Sequence, residues 1–220
     1  MSISKTLLAI GLAGAAFSAS AGVTYNASAG PTSGVGGVTT NTFDDGLLPV
    51  GFATYDQLGA LIPSPGNPGY AAQPPGDPTA FFSVGISNGQ PSSSSVTFGG
   101  NGVDYFGYYM GSPDDYNIVT MYSGNTMVLQ INGIAMAGAA SLMANGNQQV
   151  GFYMNFFTDS GTHITKVTFS ANQNAFESDN HSYIAAAVPE PGTYAMLLTG
   201  LGLLGFASRR KNNESSPRFD

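Results

Sequence analysis

The sequence predicts an all-β fold, a jelly-roll-like β-sandwich over residues 22–187. Segments rich in β-branched and aromatic residues recur about every ten residues, separated by Gly, Asn, Asp, Ser and Pro. This spacing is typical of a two-sheet sandwich. Cysteine is absent, which excludes disulfides, thiol catalysis and thiolate metal sites. The predicted strands are 35–43, 79–87, 94–98, 103–110, 116–122, 125–132, 148–157, 163–170 and 182–186.

The clearest local element is a hairpin formed by the strands 116–122 and 125–132. Ser123 and Gly124 lie between them and supply a tight turn, because glycine accepts a positive φ.

Two segments interrupt the strand pattern. Residues 62–78 hold six of the thirteen prolines, which cannot donate hydrogen bonds to a sheet, so they are predicted to form a long surface loop. Loops of that length are often functional or disordered. Residues 133–147 are rich in Ala, Gly and Met, and are predicted to contain a short helix over 134–144 or to form an irregular crossover.

The amino terminus has the features of a secretory signal peptide. Lys5 precedes an apolar stretch over residues 6–17, and Ala19 and Ala21 form an A-x-A cleavage site. Residues 1–21 are therefore predicted to be removed, which leaves residues 22–187 as the exported domain.

The carboxyl terminus has three parts in a fixed order. Residues 188–192 contain Pro189, Glu190 and Pro191. Residues 193–208 are almost entirely apolar and are predicted to form a short transmembrane helix, since about 24 Å of helix can span a locally thinned bilayer. A basic stop follows, and it predicts a cytoplasmic end because positive flanks stay inside. The stop consists of Arg209, Arg210 and Lys211, and the polar tail 212–220 follows it.

These three parts, from Val188 to Lys211, resemble the PEP-CTERM signal of bacterial exosortase substrates. The resemblance implies that a membrane-embedded exosortase recognises Pro189, Glu190 and Pro191 and cleaves near them. It also implies a transient anchor in the inner membrane, with the domain outside the cytoplasm, and a final location on the cell surface or outside the cell.

The middle of the chain resembles a family of exosortase-dependent surface proteins. The resemblance rests on DYFGYYMGSPDDYNIV at residues 104–119 and on GFYMNF at residues 151–156. It implies a secreted β-sandwich with no established chemistry.

The charge of the domain restricts its partners. Lys166 is the only Lys or Arg within residues 22–187, against ten acidic residues, which gives a net charge of about −9. Such a surface repels nucleic acid and anionic lipid, and it suits neutral polymers or divalent cations.

A candidate calcium site lies around the Ser-Pro turn at residues 112–113. Its predicted ligands carry the carboxylate and amide oxygens that Ca²⁺ prefers. The alternative is that these residues only form a good turn. The ligands would be Asp104, Asp114, Asp115 and Asn117.

Tyrosines of the strand 103–110 form a candidate glycan-stacking platform. Alternation sends Phe106 and Tyr108 to one face of the sheet and Tyr105 and Tyr109 to the other. The second face is the predicted platform. The alternative is that these rings pack in a core or against neighbouring strands.

Evidence for catalysis is thin, so no enzymatic activity is expected. Glu177 and Asp179 would share one face of a strand, as a glycosidase pair does, but a polar loop over 177–181 explains them equally well. His163 and His181 have no nucleophile elbow beside them.

Two functions remain open at this point. The first is an exported structural protein of a bacterial surface or exopolysaccharide matrix, sorted by an exosortase. The second is a carbohydrate-binding surface module, in which Ca²⁺ could take part.

Overall fold

The computed structural model describes residues 22–188 and 191–213. It divides into a sandwich unit that ends at Ala186 and a tail unit that begins at Ala187. The predicted signal peptide with Ala19 and Ala21, the motif residues Pro189 and Glu190, and residues 214–220 lie outside the described residues.

Strands dominate the sandwich unit. The described strands are β1 (Val23–Ser28), β2 (Thr39–Asn41), β3 (Ala53–Tyr55), β4 (Leu61–Ile62), β5 (Phe81–Val84), β6 (Ser93–Phe98), β7 (Val103–Gly111), β8 (Asn117–Ser123), β9 (Thr126–Asn132), β10 (Gly151–Thr158), β11 (Lys166–Ala171) and β12 (Phe176–Ala185). A 3-10 turn lies at Leu58–Ala60.

The strands form two antiparallel sheets. The larger sheet has the order β1-β10-β7-β12-β5-β4, with β2 also paired to β12. The smaller sheet has the order β3-β6-β11-β8-β9. From β5 to β12 successive strands alternate between the sheets, except that β8 and β9 form a hairpin. The all-β, jelly-roll-like sandwich that the sequence predicts is confirmed.

Apolar side chains at every second strand position form the core between the sheets. In β11 the burial alternates, with Val167, Phe169 and Ala171 inside. Phe82 and Phe106 both meet Phe169 in the middle, and their ring centroids lie 5.3 and 6.3 Å from that of Phe169. All the described core residues belong to the sandwich unit. This unit therefore contains the complete core that it needs to fold by itself.

The hairpin prediction is right in its strands and off by one residue in its turn. Ser123 pairs with Thr126, so the two turn residues are Gly124 and Asn125. Gly124 has φ +57°, the positive value that such turns require.

Strand β12 is the largest departure from the predicted elements. It begins at Phe176 rather than at residue 182, so residues 177–181 are strand and not a polar loop. Polar residues occupy both of its faces there, which hides the alternation that marks a strand. Strand β1 and the short strands β3 and β4 were also not predicted.

Helix α1 (Gly133–Ala139) lies in the segment for which the sequence predicts either a short helix or an irregular crossover. It is shorter than the helix predicted over 134–144. Asn132 caps it, since its side chain accepts a hydrogen bond from the Ala135 amide at 3.1 Å.

Residues 63–78, the proline-rich loop, contain no described strand and cross the outer face of the larger sheet. Pro74 lies against Gly111, and the Tyr109 hydroxyl donates to the Pro75 carbonyl oxygen. This loop therefore covers the outer face of β7 at its Tyr109–Gly111 end.

The tail forms helix α2 (Pro191–Asn213), which includes Arg209, Arg210 and Lys211. Among the helices of the described ranges, none combines the length and the apolar character that crossing a membrane requires. The transmembrane helix expected over 193–208 stays a prediction.

Candidate functional site: a polar cavity around Glu177

The outer face of the larger sheet is built from tyrosines that lie flat across glycines. An added Cβ at Gly107 would collide with the Tyr105 hydroxyl, and one at Gly151 would collide with the Tyr109 hydroxyl. Tyr105 donates a hydrogen bond to Asn155 Oδ1 at 2.8 Å. The absence of side chains at these glycines thus lets two large rings pack against the backbone.

Tyr105 and Tyr109 occupy the face that alternation predicts, but neither can serve as a glycan platform. They are only 2% and 4% exposed. Ser33 contacts the hydroxyl of Tyr105 at 2.8 Å, and the proline-rich loop covers Tyr109. Sugar stacking needs an accessible ring face, so the predicted platform is wrong and these rings pack as core.

Strand β12 places the Glu177 carboxyl on this outer face, beneath the proline-rich loop. One carboxyl oxygen accepts from the Ala72 amide, and the other is bonded to the Ser112 hydroxyl, each at 2.8 Å. Glu177 is 3% exposed, and this burial raises the pKa of its carboxyl to about 7. The carboxyl therefore ties a strand, a turn and a loop together, and it can hold a proton near neutral pH.

Asp179 lies two residues further along β12 and is fully buried. One oxygen accepts from the Asn180 amide at 2.7 Å. Burial, and secondarily the charge of Asp77, raise the pKa of the Asp179 carboxyl to about 8. Glu177 borders an open cavity and Asp179 does not, so the two do not form an accessible glycosidase pair.

The cavity at Glu177 has a volume of about 160 Å³ and opens to solvent. Four chain segments surround it. They are the proline-rich loop with Tyr70, the turn after β7 with Ser112, Asp114 and Tyr116, the segment before β10 with Gly146 and Gln148, and the start of β12 with Asn174, Ala175 and Glu177. Gly146 has φ +66°, and a Cβ there would lie 2.6 Å from Asp114 Oδ1, so glycine is needed at this wall.

The Tyr116 hydroxyl links Asp114 to the start of β12. The Tyr116 hydroxyl contacts both Asp114 Oδ2, at 2.7 Å, and the Asn174 carbonyl oxygen. A phenol has one hydrogen, and a carbonyl can only accept. The one phenol hydrogen of Tyr116 therefore lies between two acceptors, Asp114 Oδ2 and the Asn174 carbonyl oxygen. Burial raises the pKa of the Asp114 carboxyl, although the hydrogen bond from Tyr116 acts in the opposite direction.

The structure does not bring the predicted calcium ligands together. Asp104 lies at the start of β7 and bonds to His163 at 2.6 Å, whereas Asp114 follows the other end of the strand, roughly 30 Å of chain away. Asn117 is used locally, since its Oδ1 accepts from the Asp114 amide at 2.8 Å. Asp115 is exposed. In the described part of the chain no three His, Cys, Asp or Glu side chains could hold a metal together, so this calcium prediction is wrong.

A buried Ser-His-Tyr array was not predicted. His181 Nε2 lies 3.0 Å from the Ser178 hydroxyl, and Nδ1 lies 2.9 Å from the Tyr55 hydroxyl. Ser178 and His181 are fully buried, and burial lowers the pKa of His181 to about 3. Phe169 stacks on the imidazole at 5.0 Å. Substrate cannot reach this serine, so the array is a neutral part of the core.

The tail agrees with a known sorting signal. Residues 187–211 match the model of the PEP-CTERM protein-sorting motif. The tail is a PEP-CTERM sorting motif. Such a motif implies exosortase-dependent sorting of a surface protein, with export and a surface or extracellular fate. The resemblance of residues 188–211 to this signal is thus confirmed.

Among solved structures, the chain is similar to the K2 cleaved adhesin domain of Lys-gingipain (Kgp), with 18% identity and a TM-score of 0.40. The similarity covers 68% of this chain and 99% of that domain. No curated protein matched the chain significantly.

Proposed function

We propose that this protein is a structural component of a bacterial surface or extracellular matrix, exported through the signal peptide 1–21 and cleaved by an exosortase near Pro189, Glu190 and Pro191. The observation that carries the proposal is the PEP-CTERM motif at residues 187–211 behind a complete β-sandwich.

The position of the motif suits the release of an intact domain. The Ala186 amide still donates to the Gly102 carbonyl oxygen at 2.9 Å, and the motif begins at the next residue. Cleavage at or after Pro189 would leave this last hydrogen bond and the whole core on the released side.

A non-catalytic role is part of the proposal. Of the side chains that resemble catalytic groups, His181 and Ser178 are enclosed by the core, and Asp179 lies beneath the proline-rich loop. The acidic domain is proposed to lie among neutral polymers such as exopolysaccharide, because it carries about nine net negative charges and would be repelled by anionic ones.

The test follows the full-length chain in cells with and without an exosortase. Immunoblots of membrane, surface and medium fractions are expected to show a shortened protein at the surface or in the medium only when the exosortase is present. Glu190→Gln is expected to accumulate uncut with the membrane fraction. Glu214→Gln, a matched change outside the motif, is expected to be processed normally.

Processing and delivery that are unchanged without the exosortase would overturn the proposed sorting. Hydrolysis of a surface polysaccharide by the purified protein would overturn the non-catalytic role.

A further inference from the structure

One side of the sandwich is built from elements that carry no charged side chain. Strand β1 is an edge of the larger sheet, β9 is an edge of the smaller sheet, and helix α1 contacts both strands, so the two edges lie on the same side. Residues 22–43 and 116–158, which include these three elements, contain no Asp, Glu, Lys, Arg or His. All ten acidic side chains of the domain lie in other segments. The surface formed by β1, β9, α1 and residues 140–144 is called the uncharged side below.

Helix α1 is apolar on every face, although only part of it is buried. Its residues Gly133–Ala139 include no polar side chain. Met136 and Ala137 lie in the core, whereas Ile134 is 60% exposed and Gly138 is exposed. A helix that is apolar all round is normally buried on all sides. The described part of the chain does not cover the outward face of α1.

Further apolar side chains are exposed beside this helix. They are Met127 in β9, and Leu142 and Met143 in the segment that follows α1. Methionine and other apolar side chains are typical of the central part of protein interfaces. Together with Ile134, these side chains give the uncharged side four exposed large apolar residues and no charge to oppose their burial.

A groove lies on each side of α1. The groove toward β9 has a volume of about 430 Å³ and is lined by Ile118, Gln130, Ile131, Asn132 and Ala135. The groove toward β1 has a volume of about 230 Å³ and is lined by residues 27–29, 139–142 and 151–152. Projecting apolar side chains and recesses thus occur on one surface, and a two-fold symmetric contact requires both on the same patch.

The lengths of the sheet edges favour the same side. Edge strands β3 and β4 have only three and two residues, which protects them from pairing with another chain. Edge strands β1 and β9 have six and seven residues and contain neither proline nor a charge. One bulge near Met127 interrupts the pairing of β9 with β8.

Charge favours a second copy of this chain as the occupant. The domain carries a net charge of about −9, so two copies repel each other through surfaces that carry carboxylates. At the uncharged side two copies can meet without bringing carboxylates together. The exposed Asp115, close to Gly133, marks the limit of this surface at the start of α1. A lipid surface is disfavoured, because interfacial helices carry Lys or Arg on their polar face and α1 has neither.

We propose that two copies of the sandwich associate through the uncharged side about a two-fold axis. Ile134 and Met143 of each copy then pack into the grooves beside α1 of the other copy. The inference goes beyond the proposed sorting and does not depend on it, since every residue that carries it lies within the sandwich unit.

The test measures the mass of the sandwich fragment, residues 22–186, by analytical ultracentrifugation over a series of concentrations. The mass is expected to rise from one copy to two. Added NaCl should leave this association unchanged or strengthen it, because salt screens the repulsion between acidic copies. In NMR spectra over the same concentrations, the amide shifts that change are expected to lie in β9, α1 and residues 140–144.

Two substitutions assign the surface. Ile134→Glu and Met143→Glu each place two like charges in the symmetric contact, and each is expected to weaken dimerisation at least about tenfold. Leu58→Glu is the control, because it adds the same charge at an exposed aliphatic position after β3, the opposite edge of the smaller sheet. It should dimerise within about threefold of the parent. Amide spectra of every variant verify the fold.

A fragment that stays monomeric at all concentrations would overturn the inference, as would folded Ile134→Glu and Met143→Glu variants that dimerise like the parent. Concentration-dependent shifts confined to other amides, or association that weakens with salt, would place the contact elsewhere and have the same consequence. Binding of the monomer to vesicles of neutral phosphatidylcholine through these amides would show a lipid surface as the occupant instead. None of these results would touch the sorting proposal, since the fragment lacks the motif.

Discussion

Glu177 makes the stability of the sandwich depend on pH in a way that a single substitution can isolate. Burial raises the folded-state pKa of this carboxyl to about 7, from an ordinary value of 4.5. A group whose pKa is raised by folding makes its full contribution to the free energy of unfolding at pH values below its pKa in the unfolded state. This contribution is lost as the pH rises through its pKa in the folded state. The contribution of Glu177 should therefore decline between about pH 4.5 and pH 7 and stay constant above that range.

The size of the effect follows from the two pKa values. Each pH unit between them is worth about 1.4 kcal/mol, so a pKa raised from 4.5 to about 7 is worth about 3 kcal/mol. Glu177→Gln imitates the protonated carboxyl, because the amide can accept from Ala72 and donate to Ser112. It should match the parent at pH 4.5 and exceed it by about 3 kcal/mol above pH 7, which is roughly 6–12 °C in Tm.

Urea unfolding of the sandwich fragment at pH 4.5, 5.5, 6.5 and 7.5 measures the difference in the free energy of unfolding between parent and variant. Other titrating groups contribute equally to parent and variant, so their contributions to the free energy of unfolding cancel in the difference. Asp179, whose folded-state pKa is also raised, is one of them. His181, whose folded-state pKa is lowered and whose contribution changes with pH in the opposite sense, is another. Asp159→Asn, at an exposed position, is the control and should differ from the parent by a constant amount. A difference for Glu177→Gln that does not change with pH would refute the reasoning.

Three further outcomes are expected. Gly107→Ala should lower the free energy of unfolding, measured with urea, by about 3 kcal/mol, because the new Cβ would collide with the Tyr105 hydroxyl. Gly138→Ala is the control: it has open space around it in α1 and should be neutral or stabilising by up to about 1 kcal/mol. His181→Phe should lower the free energy of unfolding by about 2–4 kcal/mol, because it removes the imidazole partner of two hydroxyls and leaves Tyr55 only its contact with Asn41; an unchanged urea midpoint would contradict this. Millimolar calcium or a chelator should leave the Tm of the sandwich fragment unchanged, and a rise with calcium would show a metal site that the described residues do not form.

The sequence predicts most of this fold because strands such as β6 and β11 bury every second residue against one core. Where a strand does not bury apolar residues at every second position, the sequence does not predict it as a strand. In β12 the inward positions include Ser178 and His181, so the segment looks like a polar loop although it is central to the larger sheet. Strands β3 and β4 have three residues and two residues, and pairing with distant strands, not their own composition, makes them strands.

The site was harder to predict than the fold, because it depends on which faces are covered. Alternation correctly separates Tyr105 from Tyr108, but only the three-dimensional fold shows that the segment at Ser33 and the proline-rich loop close the outer face. Asp114 is part of a predicted cluster, but its carboxylate accepts from Tyr116, and Asp104 bonds to His163 instead. Tyr70 lies in a loop whose length is typical of functional or disordered segments; nothing local indicates that it lines the same cavity as Glu177.

The pairing of β1 with β10 also determines when this domain can be completed. Val23 pairs with Thr158, which lies 135 residues further along the chain. At about 5–20 residues per second, synthesis of that interval takes roughly 7 to 27 seconds. During this time the first strand has no partner, and the alternation of later strands between the sheets postpones most other pairings as well. A chain that is slow to close in this way stays extended for longer, and an extended chain is the form that a narrow export channel can accept.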